Sequence, residues 1–240
     1  TATEVTAFSI ITDYEKGIKY PIADFEITPD VAIVDPDLAE TMPQKLVAHT
    51  GMDAMTHAIE AYVSTANCDF TDPLAIHAIE MIMKDLIPSY NGDMTARDNM
   101  HNAQCLAGMA FSNALLGIVH SMAHGLSALY DTPHGVACAI LLPVGLEYNK
   151  TVAGERYRAV GKAMGVKGID EMNDVEAADA TIAAVKQLSA DVGIPANLHG
   201  ILKEEDIQFL AESAYADACR PGNPRDTSVE EIVELYKSQL

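Results

Sequence analysis

The segment GIVHSMAHGLSALYDTPHG, residues 117–135, places three of the chain's eight histidines among apolar and small residues. His120 and His124 are four residues apart, so on a helix they lie on one face, one turn above the other. Burying an imidazole costs free energy unless a partner satisfies its nitrogens. A fold that buries this segment must therefore provide partners for its histidines, either hydrogen-bonding groups or a bound ligand.

A second segment, GMDAMTHAIEAY, repeats the four-residue spacing with Asp53 and His57. By itself this pair is better explained without a metal, with Asp53 as a charge near the N-terminus of a helix and His57 as a hydrogen-bonded core or surface residue. His134 follows DTP at the start of a third predicted helix, where a turn directs its side chain inward. Each of these residues alone is more often structural. The two pairs and His134 together, in the most apolar part of the chain, favour a metal site.

The donor types narrow the choice of metal. One carboxylate with two or three imidazoles and no obvious thiolate suits Fe²⁺, Zn²⁺, Mn²⁺, Co²⁺ or Ni²⁺. The same donors argue against Ca²⁺ and Mg²⁺, which prefer all-oxygen shells. Four or five candidate ligands leave a coordination position for substrate or water, as a catalytic metal requires. A structural zinc site would more often use cysteines.

Composition limits the partners. The chain has 240 residues, 49% of them hydrophobic, so it can bury a substantial core as one large domain or two smaller ones. A formal charge of −20 argues against affinity for nucleic acid or anionic lipid. No apolar run is long enough to cross a membrane, and no secretory signal is visible. Four scattered cysteines without a CxxC pair favour the reducing cytoplasm.

Hydrophobic periodicity divides the chain near Pro43. Before it, two strands joined by DYEKG and a third short strand, VAIVD, are predicted. After it, helices are predicted over residues 43–64, 72–88, 94–129, 134–148, 154–164, 174–192, 203–216 and 227–238. We therefore expect a mainly α fold, in which a β segment over residues 1–38 precedes a helical metal-binding domain over residues 39–240.

Two longer segments, DPDLAETMPQKLVAHTGMDAMTHAIEAY and FSNALLGIVHSMAHGLSALYDTPHG, closely resemble the two signature regions of the iron-containing (group III) alcohol dehydrogenases. The resemblance continues to GNPRDTSVEEIVELY near the end of the chain. It implies that a metal is held by Asp53, His57, His120 and His134.

The resemblance also implies roles for residues around the metal. His124 matches a histidine that lies beside the metal and the nicotinamide and is not normally a ligand, and we expect it to relay a proton in catalysis. Phe111 and Cys219 match positions that line the substrate pocket. Cofactor contacts are implied for Thr1, Thr6 and Lys19.

Some positions depart from the family pattern. Ser127 stands where the second signature usually has Gly, and Phe8 and Cys138 stand where some relatives have Asn. The family's N-terminal dinucleotide-binding domain has a GGGS turn that binds the pyrophosphate. This turn is absent from the 240 residues. TATEVT resembles the family's TGSEVT, near the end of that domain. The β segment is therefore expected to be the remnant of an α/β dinucleotide-binding domain.

The activity implied by the resemblance is hydride transfer between a short-chain alcohol or aldehyde and NAD or NADP, with Fe²⁺, Zn²⁺ or another divalent transition metal. The intact enzyme is expected to be a homo-oligomer. Two alternatives are a non-catalytic metal-binding fragment and the helical half of a split enzyme. A third is a non-redox lyase related to the sugar-phosphate cyclases. Such a lyase requires phosphate-binding Lys or Arg residues near the metal, and the helices around Asp53 and His120 have almost none.

Overall fold

The computed structural model describes residues 1–240, which are mainly helical. An antiparallel hairpin of β1 (Phe8–Asp13) and β2 (Ile18–Ala23) precedes eight α-helices. The helices are α1 (Gln44–Val63), α2 (Asp72–Tyr90), α3 (Met94–Ala114), α4 (Ile118–Tyr130), α5 (His134–Ala163), α6 (Asp174–Asp191), α7 (Ile207–Ala216) and α8 (Val229–Lys237). The prediction of a mainly α fold preceded by a short β segment is confirmed.

The predicted third strand at VAIVD is wrong. The sheet contains only β1 and β2, and residues 31–35 form no strand. Val31 and Ile33 are 77% and 84% exposed, so the alternating apolar pattern here has neither a neighbouring strand nor a core to pack against. Without such contacts β-branched residues do not by themselves form a strand.

The single helix predicted over residues 94–129 is also wrong. It is divided between α3 and α4, whose axes are bent by 107° at the break. Leu115 at this break has φ of 66°, a left-handed conformation that ends α3. The backbone N–H of Val119 then donates to Glu60 and that of Ile118 to Asn223, which satisfies the start of α4.

The two helices predicted over residues 134–148 and 154–164 form one continuous helix, α5. Its inner face stays buried across the predicted gap, through Asn149, Ala153 and Tyr157. The amide of Asn149 exchanges hydrogen bonds with that of Asn223, which gives this buried polar side chain a partner. Tertiary burial therefore continues the helix through NKTVA, where the sequence suggests a break.

Helix α1 lies at the centre of the helical part and packs against α2, α3 and α5. Met52, Met55 and Ile59 on α1 are fully buried, and each such side chain stabilises the fold by about 1.5–3 kcal/mol. Helix α4 packs against α5 and α7, and α7 against α8. This packing brings the middle of α1, the first turns of α4 and the start of α5 to one place.

None of the helices taken singly has the length and apolar character needed to cross a membrane. Helices α3 and α4 taken together are long and apolar enough, but their axes are bent by 107° where they meet.

Candidate metal centre

The predicted ligand residues converge where α1, α4 and α5 meet. The Nε2 atoms of His120 and His134 lie 3.7 and 3.6 Å from Oδ1 of Asp53. Nδ1 of His57 lies 4.0 Å from Oδ2 of the same carboxylate. The ring of His57 stacks on that of His120 with centroids 4.6 Å apart. Four residues from three helices therefore surround one small volume.

Several polar atoms in this volume have no hydrogen-bond partner although they are buried. They are Oδ1 of Asp53, Nδ1 of His57 and Nε2 of His120. Leaving one buried polar group unsatisfied costs about 1–3 kcal/mol. Three such atoms side by side are better explained by a shared cation than by hydrogen bonds, so the residues present fit a bound metal ion.

The charge states also suit a cation. Burial lowers the pKa of His57 well below its usual value and that of His134 to about 3, so both imidazoles have free lone pairs at neutral pH. Burial opposes ionisation of Asp53, but the imidazoles of His57, His134 and His120 outweigh it and hold the pKa of the carboxyl group well below its usual value. An ionised carboxylate and neutral imidazoles are the forms that bind metals.

His120 differs from the other two imidazoles. Burial lowers its pKa, but Cys138, Asp53 and Glu60 more than compensate and raise it well above the usual value. Without an ion, His120 therefore keeps a proton close to Asp53 and Glu60. The site attracts positive charge at the place where the unpartnered atoms meet.

Glu60, which sequence reasoning missed, orients His120. Its Oε2 lies 2.5 Å from Nδ1 of His120, and its Oε1 accepts the N–H of Val119 at 2.8 Å. With Nδ1 occupied, Nε2 of His120 is left facing Asp53. Carboxylate partners of this kind fix the ring orientation of metal-binding histidines. The one available signal was that Glu60 follows Asp53 by seven residues, two turns further along the same helix face.

His124 lies beside this group and has a different partner. Its Nδ1 is 2.8 Å from Oδ2 of Asp217, whose Oδ1 accepts the N–H of Cys219 at 2.8 Å. The ring of His124 stacks on that of His134 with centroids 5.4 Å apart. These contacts leave its Nε2 free and hold the ring next to the candidate ligands.

One side chain among the candidate ligands was not expected. Cys138 is fully buried, with its Sγ 3.6 Å from Nε2 of His134. The ligand atoms of Asp53, His120, His134 and Cys138 all lie within 4.8 Å of one another, and His57 lies outside this tighter group. The sequence showed no obvious thiolate among the candidate ligands, and the structure places the Cys138 thiol within this group of atoms.

A cavity of about 160 Å³ opens onto the same residues. Phe111 and Cys219, predicted in the substrate pocket, both line it, as do Thr1 and Thr6, predicted near the cofactor. Phe111 stacks on His57 with ring centroids 4.3 Å apart. The other apolar side chains that line the cavity include Phe8, Ile10, Pro21, Leu115 and Leu116.

Lys19, also predicted near the cofactor, is not among the residues that line this cavity. It lies on β2, where burial lowers the pKa of its ammonium group. The carboxylates of Asp131 and Asp53 act in the opposite direction, which is consistent with a position close to the candidate ligands.

The fold and the site together define a helical domain that gathers one carboxylate, several imidazoles and a thiol beside a small apolar cavity. Residues 47–240 match the model of the Fe-containing alcohol dehydrogenase family, C-terminal. The chain belongs to this family, as the sequence resemblance predicted.

Related proteins agree with this assignment. The chain is 53% identical over 242 residues to the NADPH-dependent butanol dehydrogenase of Clostridium saccharobutylicum, covering 99% of this chain and 62% of that protein. It is 48% identical over 237 residues to the lactaldehyde reductase of Escherichia coli K12, covering 98% and 62% of the two chains. The alcohol dehydrogenase structure from Oenococcus oeni superposes with a TM-score of 0.96 at 40% identity, covering 100% of this chain and 63% of that one. The chain thus spans about three-fifths of these relatives.

Proposed function

We propose that this chain forms the metal-binding part of a dehydrogenase that transfers hydride between a short-chain alcohol or aldehyde and NAD or NADP. Asp53, His57, His120 and His134 hold a divalent transition metal, Fe²⁺ or Zn²⁺ being the leading candidates. The observation that carries the proposal is the group of buried, unpartnered ligand atoms on the first three of these residues. The names of the related butanol dehydrogenase and lactaldehyde reductase support the substrate class.

The ion supplies Lewis-acid polarisation of an alcohol or aldehyde oxygen when it is bound. The chain's own residues provide the surroundings. Phe111, Leu116 and Phe8 line the cavity with apolar surface and limit the access of water. Its volume of about 160 Å³ suits a substrate of a few carbon atoms. Thr1 and Thr6 at the cavity, with Lys19 nearby, are the residues we propose to contact the nicotinamide cofactor.

His124 is the residue that we propose moves a proton. Asp217 binds its Nδ1, so Nε2 is the atom free to take a proton from an alcohol or return one to a carbonyl product. Positioned acid–base groups of this kind contribute about 10²–10⁴-fold to a rate.

The location and partners follow from charge and cysteine chemistry. All four cysteines are free, which supports a reducing compartment such as the cytoplasm. The formal charge of −20 supports small-molecule substrates over nucleic acid or an anionic membrane surface.

Metal analysis of three variants tests the proposal: His57→Ala, His134→Ala and His124→Ala. The protein used retains any segment that precedes Thr1 in its source, and circular dichroism checks folding. We expect the first two variants to lose most of the metal. His124→Ala should keep the metal and lose turnover by about 10²-fold or more. Full metal retention by folded His57→Ala or His134→Ala would show that the ligand assignment is wrong.

A further inference from the structure

Asp217 is a buried carboxylate with two side-chain hydrogen bonds. It lies at the C-cap of α7, and its side chain is only 3% exposed, so water has little access to it. Its Oδ1 accepts the backbone N–H of Cys219 at 2.8 Å, and its Oδ2 lies 2.8 Å from Nδ1 of His124. No lysine or arginine forms an ion pair with this carboxylate. Its charge therefore acts on His124 of α4.

The two hydrogen bonds of Asp217 determine which nitrogen of His124 carries hydrogen. The backbone N–H of Cys219 can only donate, so Oδ1 is an acceptor. The turn that presents this N–H is held in place, because the backbone N–H of Arg220 donates to the carbonyl of Asp217 and that of Asp217 donates to Ala214. An ionised carboxylate has no hydrogen to donate, so Oδ2 also accepts and Nδ1 of His124 is the donor. Its Nε2 is left with a free lone pair.

We infer that Asp217 is a positioning residue that selects the tautomer of His124, an inference that rests on the proposed function. In alcohol oxidation the hydroxyl proton moves to Nε2 of His124 as the O–H bond breaks, and the hydride on the adjacent carbon goes to NAD or NADP. Nδ1 keeps its hydrogen, and the charge of Asp217 stabilises the imidazolium ion that forms. The other neutral tautomer has its hydrogen on Nε2 and cannot accept this proton.

The N–H of Cys219 makes Asp217→Asn the most informative variant. The amide oxygen must face this N–H, because a buried donor without an acceptor is costly. The amide NH₂ group then faces Nδ1 of His124 and donates to it, which moves the ring hydrogen to Nε2. Asp217→Ala imposes neither tautomer, so it should reduce turnover less than Asp217→Asn. A carboxylate that only joins α4 to α7 would give the opposite order, because Asn preserves its shape.

Turnover in alcohol oxidation is the first test, on metal-loaded protein that retains any segment preceding Thr1 in its source. We expect Asp217→Asn to keep its metal and to lose about 10²–10⁴-fold in kcat, the usual contribution of an acid–base group. Added to His124→Ala, it should cause little further loss, because the two residues act as a unit. Asp206→Asn, at the other end of α7, is the matched control. It should keep full turnover, since its amide oxygen still accepts the hydroxyl of Tyr130.

The ¹⁵N spectrum of the imidazoles is the second test, because it distinguishes a ring nitrogen that carries hydrogen from one with a free lone pair. The protein is labelled with ¹⁵N-histidine and loaded with Zn²⁺, which is diamagnetic. The signals of His124 are those that disappear in His124→Ala. We expect hydrogen on Nδ1 of His124 in the unaltered protein and in Asp206→Asn, and on Nε2 in Asp217→Asn.

The outcomes separate this inference from the proposed function on which it rests. If hydrogen stays on Nδ1 of His124 in folded Asp217→Asn, or if Asp217→Ala loses more turnover than Asp217→Asn, the inference is wrong and the proposed function stands. If His124→Ala keeps full turnover, the proton role of His124 and this inference both fail. If the Asp217 variants do not fold, the spectrum of the unaltered protein decides. Hydrogen on Nδ1 of His124 would then support the inference, and hydrogen on Nε2 would overturn it.

Discussion

At the scale of single residues, Glu60 positions the candidate metal ligand His120. Its carboxylate binds Nδ1 of His120 and, through the N–H of Val119, the first turn of α4. It therefore determines both the ring orientation of His120 and the position of the helix that carries it. Because the side chain is only 5% exposed, water cannot replace these contacts.

We expect Glu60→Gln to weaken metal binding about 10–100-fold, the usual cost of losing a carboxylate partner of a metal-binding histidine. The amide oxygen still accepts one hydrogen bond, but the negative charge that favours a cation is removed. Chelator competition with Zn²⁺ measures the effect. Glu80→Gln is a suitable control because Glu80 is exposed on α2 and pairs with His77 there. Equal affinity in both variants would mean that Glu60 has no part in holding the metal.

How far the site was predictable depends on how its residues are related in sequence. The spacing of Asp53 with His57 and of His120 with His124 is a helical signal, and it identified four residues that the fold brings together. Asp217 gave no such signal because it lies 93 residues from its partner His124. Cys138 was visible as a departure from the family pattern. The direction in which the Cys138 side chain points depends on how α5 packs against α1 and α4, and residue spacing alone does not determine that packing.

At the scale of elements, the site depends on two helix ends. The break between α3 and α4 turns His120 and His124 toward α1, and α5 begins at His134 itself. The start of α5 was predicted from the sequence, but the break between α3 and α4 was not. The apolar pattern runs on through Leu115–Gly117, and the interruption comes from Glu60 and Asn223, which hydrogen-bond the N-terminus of α4 from elsewhere in the chain. The helix starts at Pro43, Asp72 and His134 were predictable because local turn and capping signals mark them.

Gly135 tests the importance of the start of α5. A Cβ at this position would overlap the backbone carbonyl of His49 on α1, which cannot move without displacing that helix. We expect Gly135→Ala to destabilise the protein by about 1–3 kcal/mol, as overpacking does, and to weaken metal binding through the neighbouring His134. Denaturant unfolding and metal titration measure the two effects.

Gly154→Ala is the matched control for Gly135→Ala, because it lies on the same helix and its Cβ would meet only the Cβ and backbone of Asp174 at 3.3 Å or more. In a helix interior Ala is favoured over Gly by about 1 kcal/mol. We therefore expect this variant to be neutral or slightly stabilised, with unchanged metal binding. Similar losses in both variants would contradict a specific contact between α5 and α1.

At the scale of the whole molecule, the hairpin and the segment after it have many apolar side chains in contact with water. Phe25 and Ile33 are 86% and 84% exposed, and Ile11 and Ile22 are each 50% exposed. Several exposed apolar side chains concentrated in one segment often mark a contact with more polypeptide. Since the chain spans 62% of its relatives, this surface is where we expect a further part of the fold to pack.

Assayed as 240 residues alone, the chain should bind metal but transfer hydride poorly. The candidate ligands all lie on α1, α4 and α5, so the whole of the proposed metal site lies within these 240 residues. Hydride transfer also requires the nicotinamide to be held close to the substrate carbon, and such orientation is worth about 7–11 kcal/mol. Thr1, Thr6 and Lys19 provide only part of a cofactor site. A Gly-rich turn at a helix N-terminus, which would bind the pyrophosphate, is absent from these 240 residues.

The measurement is turnover of short alcohols and aldehydes with NAD(H) and NADP(H) by the metal-loaded 240 residues, with and without a co-expressed dinucleotide-binding portion from a relative such as the butanol dehydrogenase. We expect a large gain in turnover when that portion is added, together with loss of self-association as the apolar surface of the hairpin is covered. A His57→Ala chain in the same complex is the control, because covering the surface should still prevent association while turnover stays absent. Turnover by the 240 residues alone at the rate of an intact dehydrogenase would show instead that the hairpin and its threonines position the cofactor without help.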